Sequence, residues 1–355
     1  MIQFLADNID QLDLALDQLA VGERNFDRFA FMLIDNVVEL TLHNYVYGEA
    51  LSNRASVRTY TRLAEIEQLL AEKKGEETKT AKKLSRLIAE QKIIGSGLSQ
   101  AFDNKVKAAS KLGLIDSVRC ESILYLHSYR NSAYHKGLRH ESILHSLAIF
   151  YFRNACALLK AYQPNVWIWG HSDKLSHRAI KYLGDVNVLD LQTIFYSAYS
   201  RLDYIAASMA ENLVGDLAAD FSATINSIDK TICFLAREGH KKMSRDEVTI
   251  YAQSWAFAHT TEAEKFARAN GCREKTSIEF IEWLNWNYNW PFKSDPIPAW
   301  RKRQKELEKE KDYHKALKRY CDFMRQTEAL RAQIDESAAA LDMHIQQEID
   351  RMRGK

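Results

Sequence analysis

Residues 129 to 137 read "YRNSAYHKG" and place Arg130, Asn131, Tyr134 and His135 just ahead of Gly137. Those residue types suit work on a phosphate. A guanidinium stays charged at every physiological pH and grips phosphate oxygens through two parallel hydrogen bonds. An imidazole titrates near neutrality and transfers protons. Asn131 can donate to a phosphate oxygen or fix the neighbouring arginine, and neither role needs ionisation. Together these are tools for cleaving a phosphodiester.

Spacing decides whether they can act together. On a regular helix His127, Asn131 and His135 share one stripe, while Arg130 pairs with His127 and Tyr134 on an adjoining one. Five residues turn the chain through about 500°, so Arg130 and His135 project about 140° apart. Two arrangements would bring them to one phosphate. The helix can finish around His135, with Gly137 as a left-handed cap, and let the imidazole swing away. Alternatively, two copies of the helix can meet across a dimer. A helix end also favours an imidazolium, because the last carbonyls have no partners and raise a histidine's pKa.

The elements that must position this segment are helices. From Phe26 to Tyr47 the apolar residues Phe29, Leu33, Val37, Leu40 and Leu42 recur mostly at three- and four-residue steps, which predicts an amphipathic core helix. Residues 53 to 94 are rich in Glu and Lys and predict a solvated helical hairpin turning at Gly75. A short helix is expected from Phe102 to Lys111, and the next from Asp116 or Ser117, both good N-caps. That helix turns Ile123, Leu124 and Leu126 to the core and carries the opening segment. The apolar "ESILHSLAIFYFRNACALLKAY" predicts another, ending before Pro164.

Further on, Leu213, Leu217, Phe221, Ile225, Ile228, Ile232 and Leu235 mark a long helix with a narrow seam. Helices are expected at 245–269 and 276–286, then a break or hinge at "WLNWNYNWPFKSDPIPAW". From Arg301 the pattern predicts one long, largely polar helix. No stretch alternates as a strand would, so the fold class is all-α. The expected division is a helical bundle over 1–164 with the charged hairpin inserted near 53–94, a helical accessory region over 165–299, and a long charged helix over 300–355.

Bulk properties narrow the setting. A chain of 355 residues can bury a core without disulfide or metal staples. Its formal charge of +2 leaves any attraction to nucleic acid to local patches. Five cysteines stand singly with no CxxC pair, as free thiols in a reducing compartment do. The opening "MIQFLADNIDQLDLALD" holds Asp7, Asp10, Asp13 and Asp17 and no Lys or Arg, which opposes a signal peptide. Apolar runs such as "LAIFYF" fall far short of the roughly 18 residues a membrane span needs. A cytoplasmic protein without a membrane partner is expected.

The segment "LGLIDSVRCESILYLHSYRNSAYHKG" resembles the signature of the HEPN superfamily, an Arg followed after four to six residues by His, often with a polar residue directly after the Arg. Arg130, Asn131 and His135 match it position by position, and the resemblance covers about residues 20 to 164. It implies a HEPN-like bundle of four to five helices that pairs as a homodimer, with two Arg/His motifs facing one cleft. It also implies a metal-independent endoribonuclease with no cofactor, acting as a toxin or antiphage effector, in which a ribose 2′-hydroxyl attacks the adjacent phosphate. His assists proton transfer and Arg stabilises the phosphorane. Arg130, His135 and Asn131 are then catalytic, Tyr134, Lys136 and Arg139 contact RNA, and Glu39 and His127 lend support. An antitoxin or regulatory protein is a further partner the resemblance suggests. Members controlled by a nucleotidyltransferase antitoxin usually carry Tyr two residues after the His, where this chain has Gly137. The alternative is a non-catalytic HEPN-like adaptor that binds a partner protein, nucleotide or RNA.

Four other signals have blander readings. His135, His140 and His145 recur every five residues, which scatters them around a helix and argues against a metal site. Asp35, Glu39 and His43 form one stripe, read as a solvated or interhelical polar face, with a functional version that sets Glu39 near the cleft. Trp283, Trp286, Trp290 and Trp300 are read as packing rather than base-stacking residues. The stretch from Arg301 to Tyr320 has ten basic residues, His314 included, against four acidic ones and is read as a solvated helix, with RNA contact as the sharper option.

Overall fold

The computed structural model describes residues 1–70, 79–135, 141–164, 167, 174–184, 190–209, 212–239, 242–273 and 276–354. The side chains of Leu70, residues 132–135 and Glu141 are outside that description, as are Gly75, Lys136, Gly137, Arg139 and His140. The described chain is all-helical, without a strand, and divides into two compact units, Met1–Leu213 and Val214–Lys355. The divisions expected near 164 and 299 each fall inside one of these units.

In the first unit α1 (Ile2–Val21) and α2 (Arg24–Leu70) are joined at Gly22, whose φ of 68° is the left-handed conformation glycine adopts without strain. The helix at the N-terminus was not foreseen from the sequence. α2 runs unbroken through Gly48 into the first charged arm, so core helix and arm are one element. Its buried stripe is Phe31, Ile34, Val38, Leu42 and Val46, while Phe29 and Leu40 face outward, a stripe away from the expected one. The second arm is α3 (Lys79–Gly97), pinned to the first where Asn53 donates to the Leu87 carbonyl at 3.0 Å.

α4 (Phe102–Lys111) and α5 (Ser117–His135) follow, and the Arg119 amide donates to Asp116 at 2.7 Å, fixing the start of α5. A 3₁₀ turn at Glu141–Ile143 leads into α6 (Leu144–Ala161). α6 is buried on nearly every side, from Leu147 to Leu159, and forms the centre of the unit against α2 and α8 (Leu191–Ala207). α7 (His177–Leu183) docks on α1, where buried Asp13 accepts from Tyr182 at 2.6 Å and Lys181 at 2.9 Å. Burial alone would raise the Asp13 pKa, but the donors Tyr182, Lys181 and Arg178 outweigh it and hold the carboxyl below its ordinary value.

Gly97 sits where α2, α3 and α4 converge. A Cβ there would lie 2.6 Å from the Ala108 Cβ and 3.0 Å from a Val46 methyl. Gly97→Ala should therefore cost about 1–3 kcal/mol through overpacking. Urea unfolding of the variant measures this, and unchanged stability would show that the helices part without cost.

In the second unit α9 (Leu213–Glu238) buries all seven residues of its predicted seam. The expected helix over 245–269 is two, α10 (Arg245–Ala258) and α11 (Thr261–Ala269), because Thr260 caps a new start. α12 (Ser277–Asn287) opens with a Thr276/Glu279 capping box. The C-terminal helix is also divided, into α13 (Ile297–Glu308) and α14 (Tyr313–Met352), where Asp312 accepts from the His314 and Lys315 amides. α14 buries Ala316, Tyr320, Phe323, Thr327, Leu330, Ile334 and Ser337, alternating four- and three-residue steps. Tyr320 donates to Asp220 of α9 at 2.6 Å, and the Phe221 and Phe323 rings lie 3.7 Å apart. Trp290 and Trp300 are buried in this unit, so the aromatic stretch packs inside it; Trp286 is 88% exposed.

Among the described residues no helix is long and apolar enough to cross a membrane.

Candidate functional site

The site forms where α2, α5 and α6 meet. Asp35 belongs to the core-facing side of α2 and is 1% exposed, so its carboxylate requires partners. Three side chains supply them. Tyr151 on α6 donates its hydroxyl at 2.7 Å, and His127 Nδ1 on α5 stands 2.9 and 3.2 Å from the two carboxylate oxygens. Arg130 Nε lies 3.4 Å from Asp35 Oδ2, an ion-pair distance, but without the alignment of a hydrogen bond.

The chain of contacts continues along α5. Asn131 Nδ2 lies 3.0 Å from His127 Nε2, and Arg130 Nη1 donates to Asn131 Oδ1 at 2.8 Å. These partners fix the polarity of the network. Arg130 can only donate, so Asn131 presents its oxygen to Arg130 and its amide hydrogens to His127. His127 Nε2 then accepts, and the ring carries its proton on Nδ1, toward Asp35. The imidazole is further clamped by Phe102 of α4, stacked at 3.7 Å between ring centres and 12° between planes.

Tyr151 closes the far side. Burial pushes its phenol well above the ordinary tyrosine value, and the adjacent Asp35 charge adds to the rise. It therefore serves as a fixed proton donor rather than as an acid. Arg130 differs from the rest of the network in being 32% exposed at its side chain, and its Nη2 makes no hydrogen bond among the described residues. An oriented guanidinium with outward donors, braced by a buried carboxylate, is suited to an anion such as phosphate.

The other sequence candidates distribute as follows. His127 and Asn131 join Arg130, and Asn131 takes the bracing role of its two proposed ones. Glu39 accepts from Lys105 at 3.0 Å, while Asp35, four residues earlier, is the carboxylate beside Arg130. The backbone stays helical through His135, so the bend Gly137 was expected to permit does not begin before that residue. Regular helix keeps the Arg130 and His135 directions about 140° apart. The side chains of Tyr134 and His135, together with Lys136 and Arg139, are outside the described residues. His145 engages Asp27 at 2.7 Å, and among the described residues no group of three or more His, Cys, Asp or Glu could hold a metal.

Tyr151 was absent from the sequence reading. A tyrosine inside "LAIFYF" offered one signal: a hydroxyl at the centre of an all-buried helix needs a polar partner.

No protein-family model, curated protein or solved structure matches the chain. What the site does is argued from its own geometry.

Proposed function

We propose that this chain is a metal-independent endoribonuclease of the HEPN type. The observation that carries the reading is the braced, outward-facing guanidinium of Arg130, held by Asp35 and Asn131 five residues before His135. Arg130 binds the non-bridging oxygens of the scissile phosphate and stabilises the charge that grows on them. The ribose 2′-oxygen bonds to phosphorus and loses its proton to a base. The bond to the 5′-oxygen breaks, and that oxygen takes a proton from an acid, with His135 serving this proton traffic. The products are a 2′,3′-cyclic phosphate and a 5′-hydroxyl, and no metal or cofactor enters the balance.

The about 140° between Arg130 and His135 gives the site a second requirement. A two-fold homodimer sets the His135 of one protomer beside the Arg130 of the other, so the composite cleft belongs to the pair. The proposed setting is the cytoplasm, as a toxin or antiphage effector under an antitoxin or other regulatory protein. The rival reading is a non-catalytic adaptor that binds a partner protein, nucleotide or RNA. It is favoured by one feature: His127 and Asn131 satisfy each other, as a purely structural network would.

Incubating the purified chain with RNA in EDTA separates the two. Wild type should yield fragments with 2′,3′-cyclic phosphate ends, and His135→Ala should not. Intact RNA with wild type, together with equal growth when either form is induced in cells, would leave the adaptor.

A further inference from the structure

The second unit contains a cavity of about 490 Å³ that the proposed ribonuclease chemistry does not use. Its floor is α10, which packs against both α12 and α14. Glu247, Tyr251 and Trp255 succeed one another at four-residue steps along α10, so they form one stripe facing the opening. α12 contributes Glu282 and Trp286, also four residues apart, and α14 closes the side with Leu341. The volume is that of a site for a small molecule rather than a bed for a protein helix.

The chemistry of the lining selects the occupant. Three aromatic rings and aliphatic side chains make the wall apolar, and Trp286 leaves 88% of its surface outside any core. Such a ring presents a negative face to which a cation is drawn. Two carboxylates, Glu247 and Glu282, enter the same wall, and no Lys or Arg stands among the described lining residues. A neutral apolar ligand would desolvate those carboxylates without return, and an anion would be repelled. One polar group is held in place: Asn285 accepts from the hydroxyl of buried Ser254.

We infer that this cavity binds a small organic cation, an ammonium or quaternary ammonium group on an apolar or aromatic body. The ammonium sits against Trp255, Trp286 and the carboxylates, and the apolar body packs toward Leu341. This inference does not rest on the ribonuclease reading, since it concerns only residues of the second unit.

Calorimetric titration of the full chain with benzyltrimethylammonium tests it, beside two probes of similar shape, neutral neopentylbenzene and anionic benzenesulfonate. The cation should bind at least about tenfold more tightly than either. Trp286→Ala and Glu282→Gln should each weaken it by about tenfold; Trp286 is exposed, so its removal leaves the core intact. Equal affinity for the cation and its neutral isostere would overturn the proposal. So would no binding of the cation at millimolar concentration, or wild-type affinity in the folded Trp286→Ala chain.

Discussion

Arg130→Ala is expected to slow RNA cleavage by about 10²–10³-fold while the chain stays folded. The guanidinium is the charged group of the site that reaches solvent, and its orientation is set from two sides, by Asp35 at 3.4 Å and Asn131 at 2.8 Å. Truncation removes both the charge and its aim. Arg130→Lys should recover little, because an ammonium is a point charge without the planar fork that spans two phosphate oxygens. Single-turnover cleavage, with circular dichroism to verify folding, gives the comparison. Mixing Arg130→Ala with His135→Ala chains should restore part of the rate, since one composite cleft in the mixed dimer keeps both intact groups. A rate within about threefold of wild type for Arg130→Ala would remove the arginine from the reacting phosphate.

What the sequence disclosed, and what it did not, follows from the range of the signals. The α9 seam was readable because apolar residues occupy a single stripe, from Leu213 to Leu235, with polar residues on the remaining faces. α2 was harder, since Phe29 and Leu40 lie outside while Phe31 and Ile34 lie inside. Two neighbouring apolar stripes give the same periodicity, and only the packing partner decides between them. The break before α14 was hidden for another reason: Asp312 is one acidic residue among many, and its capping role depends on local backbone geometry.

The site divides in the same way. Arg130, Asn131 and His127 are within four residues on one helix, so their proximity was legible. Their link to Asp35 spans 92 residues from His127, and Tyr151 reaches it from a third helix. No local spacing encodes such a contact. An aspartate inside the apolar run "FMLIDNVVEL" did announce that some buried partner must exist, though not which.

The last prediction turns on that aspartate. Asp35→Asn preserves size and removes a charge, yet it should destabilise the protein by about 3–5 kcal/mol, the cost of leaving half of a buried ion pair. The reason lies in the polarity of the whole chain of contacts. Tyr151, His127 Nδ1 and Arg130 Nε all present hydrogens to Asp35, and a carboxylate accepts at every lone pair. An amide must turn its NH₂ toward one of these donors. If His127 adjusts by moving its proton to Nε2, it meets the NH₂ of Asn131; if Asn131 then flips, its NH₂ meets Arg130. Each correction moves the clash one step outward until the arginine loses its brace. Denaturant unfolding and cleavage should therefore fall together, and Asp35→Asn combined with Arg130→Ala should be less damaging than the sum of the two. Tyr151→Phe, which removes one donor and leaves the carboxylate charged, should cost only about 0.5–1.5 kcal/mol. Strict additivity in the double variant, or a loss below about 1 kcal/mol for Asp35→Asn, would show that Arg130 is positioned by something other than this network.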